Sequence, residues 1–144
     1  MRSPVVLFVL VLLASSASAQ SSGGWLRDEL TGCHVWNSNP EIGKTFNWSG
    51  NCSNNVAAGP GVMRWYVSGS PSGRYVGEYD GGRMSGRGVF EYRNGDRYDG
   101  EFRDDKLNGY GTLTRASGTR YSGLFRDGQP LQDEAAPVNR RTHE

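Results

Sequence analysis

The chain repeats one pattern of aromatic residues and glycines with a period of 23 residues, and this period constrains its fold more than any other feature. An aromatic-x-Gly-x-aromatic segment starts at Tyr75, Tyr98 and Tyr121, and a Gly-x-Gly follows the first two starts at the same offset. Several independent landmarks keep one phase, which predicts tandem copies of one structural unit stacked on each other. The landmarks are Tyr75, Gly77, Tyr79, Gly86, Gly88, Gly95, Tyr98, Gly100, Phe102, Gly109, Gly111, Gly118, Tyr121, Gly123 and Phe125.

Each unit has the residue pattern of a β-hairpin. Tyr75, Gly77 and Tyr79 fall on one face of the first strand, because successive side chains of a strand point to opposite faces. Asp80-Gly81-Gly82 and Asn94-Gly95 supply the turn within a unit and the turn to the next unit. A glycine between aromatic residues indicates a close approach to the backbone, and we expect the approaching ring to come from a neighbouring hairpin.

A degenerate copy of the unit lies upstream of the regular repeats. The segment from Trp48 to Cys52 matches the opening motif, and Gly59-Pro60-Gly61 follows at the same offset. The segment Gly32–Trp36 is predicted to be a lone strand that closes the N-terminal end. An isolated hairpin is marginally stable in water, so the units must stack to fold.

The N-terminus has the order of a secretory signal peptide: Arg2, an apolar run over 5–13 and a small-residue run over 14–19. The apolar run is too short to span a membrane. We expect a secreted or periplasmic protein after cleavage. The predicted divisions are signal peptide 1–19, flexible N-terminal segment 20–31, cap strand and degenerate repeat 32–74, repeats 75–97 and 98–120, half repeat 121–131, and disordered tail 132–144.

The two cysteines, Cys33 and Cys52, both follow the predicted signal peptide and would meet an oxidising compartment. We expect them to form a disulfide, which contributes about 3 kcal/mol for a loop of this size. The alternative is a thiol nucleophile at Cys33, activated by His34. Adjacent residues of a strand point to opposite faces, so that pair is badly placed to share a proton.

The pattern Y-x-G-x-[FWY], a short turn, G-x-G and a further glycine resembles the MORN repeat, closely over 75–130 and loosely over 48–69. The resemblance implies an all-β fold: an elongated, single-layer antiparallel meander of tandem hairpins, here with an N-terminal disulfide-linked cap. It also implies a scaffold for protein contacts, for dimer formation and, in some members, for attachment to phospholipid. The N-terminal stretch is similar to exported bacterial relatives.

Charge and motifs exclude several classes of function. The chain has 16 Lys and Arg against 15 Asp and Glu, and loss of Arg2 leaves it neutral, which argues against nucleic-acid binding. No catalytic or phosphate-binding motif is present, so we expect no enzyme and no cofactor, although a carboxylate pair acting on a glycan stays open. Asp104-Asp105 is interpreted as a turn and not as a metal site. Asn47 and Asn51 begin N-glycosylation patterns that we attribute to coincidence.

The favoured function is an interaction module without catalytic activity. The last unit lacks a convincing returning strand, which predicts an open sheet edge that a protein partner, or a second copy of the chain, can pair with. The aromatic rings form the core and are expected to leave a shallow accessible groove. The alternatives are a peripheral phospholipid binder and a carbohydrate or cell-wall binder. The predicted binding residues are Tyr98, Phe102, Tyr110, Tyr121 and Phe125.

Overall fold

The computed structural model describes residues 23–131, and the predicted signal peptide and tail lie outside these residues. The described chain contains eleven strands, and none of it forms a helix long and apolar enough to cross a membrane. The strands are β1 (Gly24–Arg27), β2 (His34–Asn37), β3 (Lys44–Trp48), β4 (Asn51–Ser53), β5 (Val56–Val67), β6 (Ser70–Asp80), β7 (Arg83–Tyr92), β8 (Arg97–Arg103), β9 (Lys106–Thr114), β10 (Arg120–Arg126) and β11 (Gln129–Pro130).

The strands form one open sheet in which consecutive hairpins lie side by side. From β5 to β11 each strand pairs antiparallel with the next, in the order of the sequence. Strands β3 and β4 both pair with β5 and together form the opening strand of the upstream hairpin. The predicted fold class, an all-β single-layer meander of hairpins, is confirmed.

The turns within the units hold the strands in a fixed register. Both central residues have positive φ in the turns Gly81-Gly82, Asp104-Asp105 and Asp127-Gly128. Such mirror-image turns match the right-handed twist of the flanking strands. Because each turn is short, every first-position tyrosine faces the same side of the sheet.

The two glycines of each Gly-x-Gly have different tasks. Gly109 has φ +87° and lies at an irregularity in the pairing of β8 with β9, a conformation that a side chain disfavours. Gly111 lies directly beneath the ring of Tyr98, and a Cβ at this position would overlap that ring. One glycine therefore shapes the backbone, and the other leaves room for an aromatic side chain.

The ring over each glycine comes from the same hairpin, which corrects the expectation that a neighbouring hairpin supplies it. Tyr98 extends along its own strand over Gly100 and across to Gly111 on the paired strand. Its hydroxyl donates a hydrogen bond to the Glu101 carbonyl at 3.1 Å, and Tyr75 makes the equivalent bond at 3.0 Å in the preceding unit. The hydroxyl group of each buried tyrosine therefore has a backbone carbonyl as its hydrogen-bond partner.

Contacts between units come from the second aromatic residue of each motif. It meets the first-position ring of the preceding unit with centroids about 5 Å apart, and such pairs stabilise by roughly 0.5–1.5 kcal/mol beyond area burial. This arrangement buries the inner rings of the ladder, whereas Tyr92 stays 37 % exposed. The pairs are Trp48–Tyr79 at 4.8 Å, Tyr75–Phe102 at 5.0 Å and Tyr98–Phe125 at 5.0 Å.

Backbone hydrogen bonds also join the turn of one unit to the unit before it. In each case the second turn residue donates its N–H to a carbonyl at the start of the preceding returning strand. The sequence pattern did not indicate these bonds. They are Gly82 to Ala57 at 3.0 Å, Asp105 to Met84 at 3.2 Å and Gly128 to Leu107 at 2.9 Å.

The N-terminal cap differs from its prediction. The segment 20–31 was expected to be flexible and β2 to be a lone strand, but β1 lies in that segment and pairs antiparallel with β2. Its partner β2 also touches β5 in parallel, where His34 stands opposite Val56. The disulfide Cys33–Cys52 is confirmed and joins this cap to the first hairpin. The cap is therefore part of the sheet.

We predict that Gly111→Ala destabilises the protein by about 1–3 kcal/mol, because the added methyl group overlaps the buried Tyr98 ring. Gly24→Ala is the matched control, since no atom lies within 4 Å of a Cβ built there. Urea unfolding of both variants measures the difference. Equal midpoints would show that the ring does not depend on the bare backbone.

Candidate functional site

The five aromatic residues predicted to bind a partner lie in two different environments. Tyr98, Phe102 and Phe125 are buried core residues. Tyr121 is half-buried, and Tyr110 is 67 % exposed. A buried ring cannot contact a partner on the folded protein, so only the last two residues can contribute to a binding surface.

One candidate surface is the C-terminal edge of the sheet. Strand β10 pairs with β9, whereas β11 opposes only Phe125 and Arg126 on the other side. Beyond them, Leu131 donates its N–H to the Leu124 carbonyl at 2.8 Å. Within residues 23–131 no strand lies on the outer side of residues 120–123. Among the residues that the structure describes, their outward backbone groups have no strand partner, which is the template for adding another strand.

An exposed apolar pair lies beside this edge. Tyr110 and Leu124 stand directly opposite each other on β9 and β10 and are 67 % and 38 % exposed. One repeat earlier, the same positions hold Arg87 and Glu101, which also face each other. The change from a charged pair to an apolar pair creates a surface that we call the terminal patch (Tyr110 and Leu124).

The second candidate surface is a groove of about 650 Å³ that lies between the segment after β2 and the strands β7 to β9. Trp36, Met84, Phe90 and Tyr92 contribute apolar lining, and the carboxyl of Asp105 reaches the same space. The alternation on β7 indicated Phe90 and Tyr92. Nothing in the repeat indicated Trp36 or Asp105, because only the folded chain brings them together.

Asp105 is a buried carboxyl with one unsatisfied oxygen. Its Oδ1 accepts the N–H of Met84 at 2.7 Å, while Oδ2 has no hydrogen-bond partner and lies 3.8 Å from Arg83. Burial raises the pKa of Asp105 to about 6, and the charge of Asp104 adds to this, although the Met84 hydrogen bond and Arg83 act in the opposite direction. The ionised form of the Asp105 side chain is therefore destabilised by its buried surroundings at neutral pH.

Metal binding has no support in the described chain. Asp104 and Asp105 form the turn between β8 and β9, as interpreted from the sequence. Across residues 23–131, no three His, Cys, Asp or Glu side chains come together as metal ligands.

The comparison with protein families matches the regular units. The model of the MORN repeat matches residues 75–97 and 98–120, the same two segments that carry the ring-over-glycine geometry. These two segments of the chain are MORN repeats. No curated protein matches it by sequence. MORN repeats are generally non-enzymatic modules that contact proteins or membrane lipids.

We predict that Asp105→Asn removes a pH-dependent cost. In the folded protein Asp105 keeps its proton up to about pH 6, whereas in the unfolded chain it loses the proton near its ordinary value. Wild-type stability therefore falls as pH rises through this window. Asn retains the acceptor for Met84 without the charge.

Urea unfolding from pH 4 to pH 8 measures this effect. The stability of Asp105→Asn relative to wild type should rise by roughly 2 kcal/mol over that range. All other carboxyls are shared by the two proteins, so their contributions cancel. A difference that stays constant with pH would show that Asp105 is not held in a low-dielectric site.

Proposed function

We propose that this chain is an exported, non-catalytic MORN scaffold that binds a protein partner, or a second copy of itself, by adding a strand to β10. The observation that carries the proposal is the coincidence of an open edge at residues 120–123 with the adjoining terminal patch. An open edge alone provides main-chain hydrogen bonds, which do not discriminate between partners. Specificity then comes from side-chain contacts along the added strand.

The terminal patch supplies such side-chain contacts. An apolar residue of the added strand opposite Ser122 would lie diagonally beside Leu124 on the same face of β10, and would remove part of the terminal patch from water. Their equivalents Arg87 and Glu101 belong to a wet face, so the apolar pair serves no need of the repeat itself. This favours a protein partner over a purely structural role for the last unit.

The last ring of the ladder offers a third contact. Tyr121 packs on Phe125, but no aromatic ring of residues 23–131 follows it as Phe125 follows Tyr98. An aromatic side chain on the added strand would continue the ladder in the same edge-to-face geometry. Tyr110 and Tyr121 are therefore the residues that we assign to binding.

Export rests on two separate features. Residues 1–19 have the charge, apolar core and small-residue order of a signal peptide. The Cys33–Cys52 disulfide fits an oxidising compartment, where such bonds persist.

The test replaces the terminal patch with the charged pair that the preceding unit already carries, Tyr110→Arg with Leu124→Glu. Because this pair occurs naturally one repeat earlier, the variant should keep the fold. We expect it to weaken the complex at least tenfold, about 1.4 kcal/mol. Ile42→Ser is the control, since Ile42 is also an exposed apolar residue but is not part of the terminal patch.

Sedimentation velocity detects self-association, and affinity capture from the native compartment isolates a different partner. Hydrogen exchange of the purified complex should show new protection at residues 120–123. A complex that protects other segments, or one that tolerates the charged pair, would contradict strand addition at β10. Flotation with anionic phospholipid vesicles that depends on the terminal patch would instead assign this surface to a membrane.

A further inference from the structure

The groove contains a carboxyl that the repeat does not require. Asp105 occupies the second position of its turn, and the units on either side hold Gly82 and Gly128 there. All three residues donate the same backbone hydrogen bond to the preceding unit. Glycine therefore satisfies the turn and the contact between units. The carboxyl adds a burial cost that neither neighbouring unit carries.

The described protein atoms leave Oδ2 of Asp105 without a hydrogen-bond donor, which a ligand in the groove can supply. The side chain is 5 % exposed, and the gap of 3.8 Å between Oδ2 and Arg83 is longer than a hydrogen bond. A buried acceptor without a partner is destabilising. A ligand hydroxyl or N–H in the groove would remove that destabilisation, and such a ligand must therefore carry hydrogen-bond donors.

The wall of the groove offers flat apolar surface. The rings of Phe90 and Tyr92 pack with centroids 4.5 Å apart, and Tyr92 remains 37 % exposed. Pockets that recognise small or extended ligands combine such apolar surface with a few well-placed polar groups. The C–H face of a sugar ring fits a flat aromatic surface of this kind, and the same ring carries hydroxyl donors.

Charge around the groove selects the type of ligand. Three cationic side chains line it, Lys44, Arg93 and Lys106, against the carboxyls of Glu41 and Asp105. Arg83 lies beside Asp105 and also packs over the Trp36 ring at 4.5 Å. This excess of positive charge disfavours a cationic peptide and favours an anionic ligand.

We propose that the groove binds an acidic oligosaccharide. A sugar ring lies against Tyr92, one of its hydroxyls donates a hydrogen bond to Oδ2 of Asp105, and its carboxylate or sulfate groups face Arg93 and Lys106. An acidic oligosaccharide matches all three features of the groove: the exposed ring of Tyr92, the unsatisfied oxygen of Asp105, and the cationic side chains that line it. The site is separate from β10, so it stands whether or not strand addition occurs there.

Isothermal titration calorimetry of the folded, disulfide-bonded protein tests the proposal with a galacturonate hexamer and a hyaluronan hexasaccharide. The carboxyl-reduced galacturonate hexamer is the matched neutral ligand. We expect at least one acidic ligand to bind roughly tenfold more tightly than the neutral one. Tyr92→Ala and the pair Arg93→Ser with Lys106→Ser should each weaken this binding at least tenfold. Asp105→Asn, which retains the Met84 contact, should also weaken it.

Tyr110→Arg with Leu124→Glu is the control, because both residues lie outside the groove. It should leave oligosaccharide affinity unchanged even where it abolishes a protein complex, so the two proposals fail independently. Absence of binding by both acidic ligands overturns the groove site. Equal affinity for the neutral hexamer, or loss of binding only in the control variant, also overturns it. Binding to phosphatidylglycerol vesicles that is lost in the groove variants would assign the site to lipid instead.

Discussion

The fold depends on an aromatic ring lying against the bare backbone of its own hairpin. Tyr98 covers Gly100 and Gly111, and Tyr75 stands over its own glycines in the same way. Dispersion contacts with the backbone replace those that a second layer would provide. The hydroxyl of each ring returns to a main-chain carbonyl, so the buried polar atom is not orphaned. This is how a sheet of one layer obtains a dry core.

The first-position ring of each unit, lying against its own backbone, sets the spacing between neighbouring hairpins. The second-position aromatic of one unit finds only the edge of the preceding first-position ring, which produces the T-shaped contacts of Phe102 with Tyr75 and of Phe125 with Tyr98. The turn-to-carbonyl hydrogen bonds act beside these contacts, at the turns of the same hairpins. Ring contacts and turn contacts therefore fix the same interval between units, and the array adds units without a change in geometry.

The repeat was predictable because its determinants are local. Hairpin turns, the alternation of Tyr75, Gly77 and Tyr79, and the unit length all depend on residues close in sequence. The direction of each ring was not predictable, because the sequence pattern places a side chain on one face of the sheet without fixing its rotamer. Strand β1 also escaped prediction: it is a single strand outside the period, and its pairing with β2 and the packing of Leu26 on the core depend on residues distant in sequence.

The candidate sites were harder to predict, since they are departures from the repeat. The open end was visible in the weak returning strand, but the ladder residues assigned to binding proved to be buried. Comparing equivalent positions is a better guide. A position that packs in the same way in each unit reports on the fold, as Gly88 under Tyr75 and Gly111 under Tyr98 do. A position whose residue type differs between units, although its role in the fold is the same, is a candidate for a contact with another molecule. By that criterion Asp105 and the terminal patch are two places where residues at the C-terminal end of the array differ from their equivalents in a way that stacking does not require.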